Sequence, residues 1–527
     1  MPRTIPYAAA LILVAFAPAA QAAPPEGFEQ RVEALREESG APGIAIAIVE
    51  QGETTLAQGW GVRELGERAP VDAHTIFATG STGKAFTVAA LATLVDEGRL
   101  SWDDKVIDHM PWFRMNDPWV TAEMTVRDLL VHRSGLGLGA GDLLFVPRSN
   151  LSRKETVERL RYIEPATSFR SSYAYDNILY IVAGQLIEEI TGRTWEQYVM
   201  EDVLRAGGMA DSTSDYDTRY AVENRARPHA RTTGALRGLG PNVVLDERDE
   251  LGRNAMPAGG LAMSATDMAQ WLKIQLAHGA MPGGGRLFSE AATKEMWTPV
   301  TPMPNEDWPG ELAPANPNYT AYALGWQVQD YRGARLIWHG GGVFGAITLV
   351  ALLPDQDVGI AIMINSEEAA LRRGLFYELL DHYLGFPAND WPAKWDAFVS
   401  QRLEGGREFL AQRDEQPAEV GPSLSVASYA ATYRDPWYGD IVVSEREGGL
   451  WIDFTTNPRM EGRLVHYQYD TFKTEFTDTS LEPALVTFGL DARGNVERVA
   501  MEAASPLADF SYDYRDLDLR PVKETQE

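Results

Sequence analysis

Apolar positions along this chain follow two rhythms. Gly43-Ile44-Ala45-Ile46-Ala47-Ile48-Val49-Glu50, a Gln51-Gly52 turn and Thr54-Thr55-Leu56-Ala57-Gln58-Gly59-Trp60 read as a β-hairpin. Far downstream, Ala334-Arg335-Leu336-Ile337-Trp338 and residues 346–353 repeat the strand pattern. A Pro354-Asp355-Gln356-Asp357 turn then leads to a third apolar run over 358–364. Between these ends the pattern is helical, and it predicts helices over 81–97, 126–131, 177–191, 194–206 and 265–278. The simplest arrangement is α+β: an antiparallel sheet built from both ends of a large domain, with a helical insertion between them.

After residue 385 the rhythm changes. A charged helical stretch over 394–412 runs on despite Gly405-Gly406, and Pro417-Ala418-Glu419-Val420-Gly421-Pro422 has the composition of a linker. Short β runs follow at 441–443, 449–454, 464–467, 471–476, 484–488 and 496–501, the signature of a small antiparallel barrel or sandwich. The chain thus divides into a leader (1–22), the large domain (23–385), a helical linker (386–422) and an all-β C-terminal barrel domain (423–522).

The leader has its own logic. Arg3 supplies a positive start, residues 8–17 an apolar run, and Ala20-Gln21-Ala22 a small-residue cleavage site. That is the pattern of a secretory signal peptide, and the apolar run is short for a membrane span. The expectation is a periplasmic or secreted protein without membrane insertion. The 527 residues carry a net charge of -28, which argues against nucleic acid, because phosphate binding needs clustered Lys and Arg. There is no cysteine, which excludes disulfides, a thiol nucleophile and thiolate metal sites. The eight histidines show no ligand spacing, so neither a metal nor another cofactor is expected.

The chemistry begins at Ser81-Thr82-Gly83-Lys84, which opens the apolar stretch 85–95. On a helix, a hydroxyl and an amine three residues apart share a face, about 5–6 Å apart at Cβ. The serine would lie in the first turn, where free N–H groups favour developing negative charge. A lysine held neutral can be the base that such a serine needs. Two further segments supply what this pair lacks. In Tyr175-Asp176-Asn177 a phenol can relay a proton and an amide can bond both lysine and substrate. In His339-Gly340-Gly341-Gly342 the glycines admit a substrate close to the backbone and offer N–H donors. Alternatively, the first is a polar loop capping a helix and the second a glycine-rich turn at a strand end. His132, in Leu129-Leu130-Val131-His132-Arg133-Ser134-Gly135-Leu136, has no evident catalytic task and reads as structural.

With these motifs in this order, residues from about 30 to 385 resemble the β-lactamase-related serine hydrolases: class C β-lactamases, D-alanyl-D-alanine carboxypeptidases, D-aminopeptidases and related esterases. The motifs of that family are Ser-x-x-Lys, Tyr-x-Asn and a Lys-Thr-Gly or His-x-Gly strand. Residues 423–522 resemble the β-barrel domain behind some archaeal and bacterial peptidases of the group, through Tyr429–Asp440 and Asp509-Phe510-Ser511-Tyr512.

The resemblance implies that Ser81 is the nucleophile, that Lys84 and Tyr175 share the proton work, and that Asn177 orients Lys84 and substrate. It also implies that His339 polarises Tyr175 or the substrate. The N–H groups of Ser81 and Gly342 are expected to form the oxyanion hole, with Gly340 and Gly341 binding substrate. Asp176 either contacts substrate or caps a helix. His339 and Gly340 stand where Lys and Thr help bind a substrate carboxylate, which weakens the case for a β-lactamase. The expected partner is a small-molecule or peptide substrate, leading with peptides that include D-residues. A carboxylesterase acting on small esters is the enzyme alternative, and a catalytically weak binding or sensor protein the other. Association into a homo-oligomer stays open.

Overall fold

Strands from both ends of the large domain pair into one eight-stranded sheet. In the computed structural model, which describes residues 23–246, 251–414 and 420–523, its order is Glu53–Gly61, Gly43–Glu50, Val358–Ile364, Ala346–Leu353, Ala334–Val343, Gln327–Tyr331, Thr320–Tyr322, Thr301–Pro302. All neighbours are antiparallel, and Ile44 lies opposite both Trp60 and Ile364. The leader over 1–22 and residues 415–419 of the linker region lie outside the described residues.

The Gly43–Glu50 strand is buried along its whole length, which explains its unbroken apolar run. Successive side chains leave opposite faces of a strand. Ile44, Ile46 and Ile48 enter a core with Val32, Leu35, Leu375 and Leu379, from the helices Phe28–Ser39 and Ala369–Tyr383. Ala45, Ala47 and Val49 enter a second core with Trp271 and Leu272 of the Ala265–Leu276 helix. The helical insertion covers this second face.

At its centre the helix Lys84–Asp96 is buried nearly all round, so it carries an apolar run with no polar stripe. The predicted helix over 81–97 begins as a 3-10 turn, Gly80–Gly83, and becomes α-helical at Lys84. Two other predicted helices are irregular. The 126–131 segment is a single 3-10 turn, Arg127–Leu130, and 194–206 divides into an α-helix Trp195–Tyr198 and a π-helix Val199–Arg205. Residues 339–342 are not a strand-end turn. They continue the Ala334–Val343 strand, because Gly340, Gly341 and Gly342 pair with Leu349, Thr348 and Ile347.

The charged stretch is one helix, Trp391–Asp414, and it runs through both glycines. A Cβ on Gly406 would lie 2.9 Å from the Leu507 side chain, so the glycine lets this helix lie against the C-terminal domain. That domain is an eight-stranded antiparallel sheet, ordered Val496–Ala503, Ala484–Leu490, Thr471–Phe476, Glu461–Gln468, Gly449–Phe454, Gly439–Arg446, Ala431–Asp435, Arg520–Pro521. Backbone hydrogen bonds between Val499 and Leu519 bridge its two edges, leaving a nearly closed barrel around Tyr429, Tyr433, Phe454 and Phe488. The sequence pattern had not marked its strands Ala431–Asp435 and Arg520–Pro521. Among the described residues, no helix is long and apolar enough to cross a membrane.

Candidate active site

Ser81 sits in the Gly80–Gly83 turn, and Lys84 begins the buried helix. The lysine side chain is enclosed, with Nζ 3.1 Å from Ser81 Oγ, 2.7 Å from Asn177 Oδ1 and 2.8 Å from the Ala258 carbonyl oxygen. The last two groups can only accept. A neutral amine spends both N–H bonds on them, which leaves its lone pair for the Ser81 hydroxyl proton. Burial favours that neutral state and brings the Lys84 pKa down to about 7, against the opposing charges of Asp142 and Asp176.

Tyr175 and Asn177 enter from the segment before the Ile178–Thr191 helix. Lys84 Nζ lies 4.9 Å from the centre of the Tyr175 ring. The Tyr175 hydroxyl is buried and directed at Ser81, yet it makes no hydrogen bond of ordinary length and angle among the described residues. Its pKa is held well above the usual phenol value, burial outweighing the influence of Ser81. A phenol in this state keeps its proton and can pass it on.

Asp176 takes neither of its expected roles. Its side chain is fully buried behind Tyr175 and does not line the cleft. Nor does it cap the helix: Oδ2 accepts from Ser134 Oγ at 2.8 Å, and Oδ1 lies 3.3 Å from His132 Nδ1. His132 Nδ1 itself accepts the Asp176 backbone N–H at 3.1 Å, so the facing carboxyl is suited to hold a proton. Burial agrees, raising the Asp176 pKa to about 8 and pushing that of His132 well below its usual value. The His132 ring packs under Tyr175, with centroids 4.1 Å apart, as a structural residue does.

His339 reaches the site from the sheet but makes no hydrogen bond to Tyr175. Nδ1–H donates to the Gly340 carbonyl at 2.6 Å, and Nε2 accepts from Tyr322 Oη at 2.7 Å. The ring is 2% exposed, and burial lowers its pKa to about 3, so it stays neutral. Polarisation of Tyr175 by His339 therefore has no direct contact to act through. Beside it the backbone is packed tightly. A Cβ on Gly80, whose φ is +52°, would lie 2.6 Å from Gly342 N, and one on Gly341 would lie 3.2 Å from Ser81 N. The strand and the Gly80–Gly83 turn thus meet backbone to backbone, with Ser81 and Gly342 beside each other. Gly340, Gly341 and Gly342 all line the cleft.

Three contributors were not read from the sequence. Asp142, in the turn Asp142–Leu144, is fully buried, and its Oδ2 accepts from Asn177 Nδ2 at 2.8 Å. The same oxygen accepts from Ser511 Oγ at 2.8 Å, a residue of the C-terminal domain. Burial raises the Asp142 pKa to about 7 despite both bonds. Tyr322 is the third, as the partner of His339. The only sequence signal for Asp142 is its place after a run of glycines, Gly135 to Gly141; Ser511 had none beyond the resemblance of its domain. Ser81, Tyr175, Asn177, His339 and Ser511 border a cleft of about 1350 Å³, walled by Phe510 of the C-terminal domain and open enough for more than a small ester.

Comparisons with known proteins agree with this fold. A family model described as Beta-lactamase matches residues 28–384, and one described as a domain of unknown function (DUF3471) matches residues 415–521. The unguisins hydrolase ungD' of Aspergillus campestris is 29% identical over 433 residues, covering 78% of this chain and 76% of that protein. Penicillin-binding protein 4 of Amycolatopsis lactamdurans is 27% identical over 426 residues, covering 80% of this chain and 98% of that protein. The octameric penicillin-binding protein homologue from Pyrococcus abyssi shares the fold over 91% of this chain and 98% of its own, with a TM-score of 0.55 at 20% identity. With its Ser81–Lys84 turn and its eight-stranded sheet inside residues 28–384, the chain belongs to the Beta-lactamase family, a family of serine hydrolases.

Proposed function

We propose that the protein is an exported hydrolase of peptide amide bonds, D-residue peptides included, working through an acyl-enzyme on Ser81. The observation that carries this reading is the bonding of Lys84. Two carbonyl oxygens occupy its N–H groups, and Ser81 Oγ stands at its third position, 3.1 Å away. Ser81 Oγ attacks the substrate carbonyl as its proton passes to neutral Lys84. The oxyanion is received by the N–H groups of Ser81 and Gly342. Tyr175 delivers a proton to the leaving amine and is reprotonated from Lys84, and the acyl group stays on Ser81. Water then attacks the ester carbonyl and gives its proton to neutral Lys84; the C–O bond to Ser81 breaks, Ser81 Oγ takes that proton back, and the acid leaves.

The breadth of the cleft supports a peptide, as do two relatives whose names record a hydrolase and a penicillin-binding protein. Export rests on the leader pattern of residues 1–22. One observation favours small esters instead: Gly340 brings no side chain that could hold a substrate carboxylate.

The test is a fluorophosphonate label followed by peptide mapping, with a panel of D- and L-peptides, p-nitrophenyl esters and a cephalosporin. The label should map to Ser81 in the wild type, vanish in Ser81→Ala, and accompany peptide hydrolysis. A wild type that takes no label at Ser81 would overturn the mechanism. Turnover of esters alone would move the assignment to a carboxylesterase.

A further inference from the structure

The turn that carries Asp142 is held between two partners. On one side it meets the catalytic segment: Gly139 N–H donates to the Tyr175 carbonyl at 2.9 Å, and Asn177 Nδ2 donates to Asp142 Oδ2 at 2.8 Å. On the other side it meets residues 510–513 of the C-terminal domain. Ser511 Oγ donates to Asp142 Oδ2 at 2.8 Å, and the Asp513 carboxylate accepts from Gly141 N at 2.8 Å and Leu143 N at 3.2 Å. A Cβ on Gly139 would lie 2.8 Å from Phe510, so the two backbones are in close contact as well.

The direction of these bonds matters. Asp142 accepts from the Asn177 amide nitrogen, and this turns the amide oxygen toward Lys84 Nζ, 2.7 Å away. An unheld amide could present its nitrogen instead, placing a donor against a donor. The hydrogen-bond line therefore runs across the domain boundary, from Ser511 through Asp142 and Asn177 to Lys84.

We propose that Ser511 and Asp513 of the C-terminal domain are positioning residues for the reaction, acting through Asp142 and Asn177 on Lys84. This rests on the reading of Ser81 and Lys84 as nucleophile and base. It makes the C-terminal domain part of the catalytic unit rather than only a wall of the cleft.

The full-length chain is assayed for kcat and KM on p-nitrophenyl acetate, with the thermal midpoint recorded for each variant. Losing one hydrogen bond to a carboxylate should lower kcat about tenfold in Ser511→Ala, with KM changed less than about twofold. Ser511→Thr keeps the hydroxyl and should restore kcat to within about threefold of the wild type. Asp142→Asn should lower kcat at least as far as Ser511→Ala, and it decides the matter if Ser511→Ala does not fold. Arg159→Gln serves as the control. It removes a different contact with the C-terminal domain, the 2.9 Å bond to the Trp437 carbonyl, and Arg159 does not line the cleft. It should leave kcat unchanged.

Wild-type kcat in Ser511→Ala, an equal fall in Ser511→Thr, or an equal fall in Arg159→Gln would each overturn the proposal. If fluorophosphonate fails to label Ser81 in the wild type, the nucleophile reading falls and this inference with it. If the wild type is labelled and Ser511→Ala is indifferent, only the inference falls.

Discussion

Gly341 and Thr79 touch backbone to backbone: a Cβ added to Gly341 would lie 2.2 Å from the Thr79 carbonyl oxygen. It would also lie 2.3 Å from Thr348 Oγ1, which itself donates to that carbonyl at 2.5 Å. This contact sets the distance between the glycine strand and the turn that holds Ser81. Gly341→Ala should therefore force the two apart, cost about 1–3 kcal/mol as overpacking does, and lower kcat through the displaced oxyanion donors. Gly342, one residue on, has open space at its Cβ position. Gly342→Ala should leave the thermal midpoint unchanged. Thermal melts of the two variants check this contrast.

The pH dependence follows from Lys84. Its pKa is about 7 in the folded protein, and only the neutral amine can accept the Ser81 proton. Below that value kcat/KM should fall about tenfold per pH unit, and above it activity should level off. Tyr175 titrates far higher and should not limit the mildly alkaline side. Asp142, also raised to about 7, communicates with Lys84 through Asn177, so the measured midpoint belongs to the pair. Steady-state rates from pH 5 to 9.5 test the limb. An acid optimum in an enzyme still folded at pH 9 would contradict a neutral-lysine base.

On the proposed mechanism Ser81 and Lys84 act as one unit. Ser81→Ala should abolish turnover while leaving the melt intact, because it removes one small polar atom at a turn. Lys84→Ala should cost nearly as much activity, and the double variant little more. Rates of the three variants, compared as free energies, would expose any additivity.

His339→Lys probes the departure from a lysine-bearing site. The position is 2% exposed, and burial disfavours a charge there. A permanent ammonium there should cost on the order of 1–3 kcal/mol of stability and lower hydrolysis, not create a β-lactamase. The wild type should turn over penicillins and cephalosporins poorly beside its best peptide or ester. Melting curves and a β-lactam assay decide both points.

Much of this protein was legible in its residues taken in order. Largely unbroken apolar runs at 43–50, 346–353 and 358–364, with the patterns at 54–60 and 334–338, located five of the eight strands of the sheet, because strands buried on both faces carry apolar residues at nearly every position. Ser81 and Lys84 were legible because their partnership is local, three residues apart on helical backbone. Tyr175, Asn177 and His339 became legible only as an ordered set of motifs. What each side chain does was decided by tertiary packing. Asp176 looked like a cap or a substrate contact until burial against His132 and Ser134 turned it away from the cleft. His339 was expected to polarise Tyr175 or the substrate; Tyr322, seventeen residues earlier, takes its Nε2, which leaves no direct bond to Tyr175. Asp142 and Ser511 lie 369 positions apart, and no periodicity or spacing connects them. Local sequence determines the elements and the short-range pair. The charge state of Lys84, the orientation of the Asn177 amide and the reach of the C-terminal domain into the site depend on which distant groups exclude water, and only the folded chain decides that.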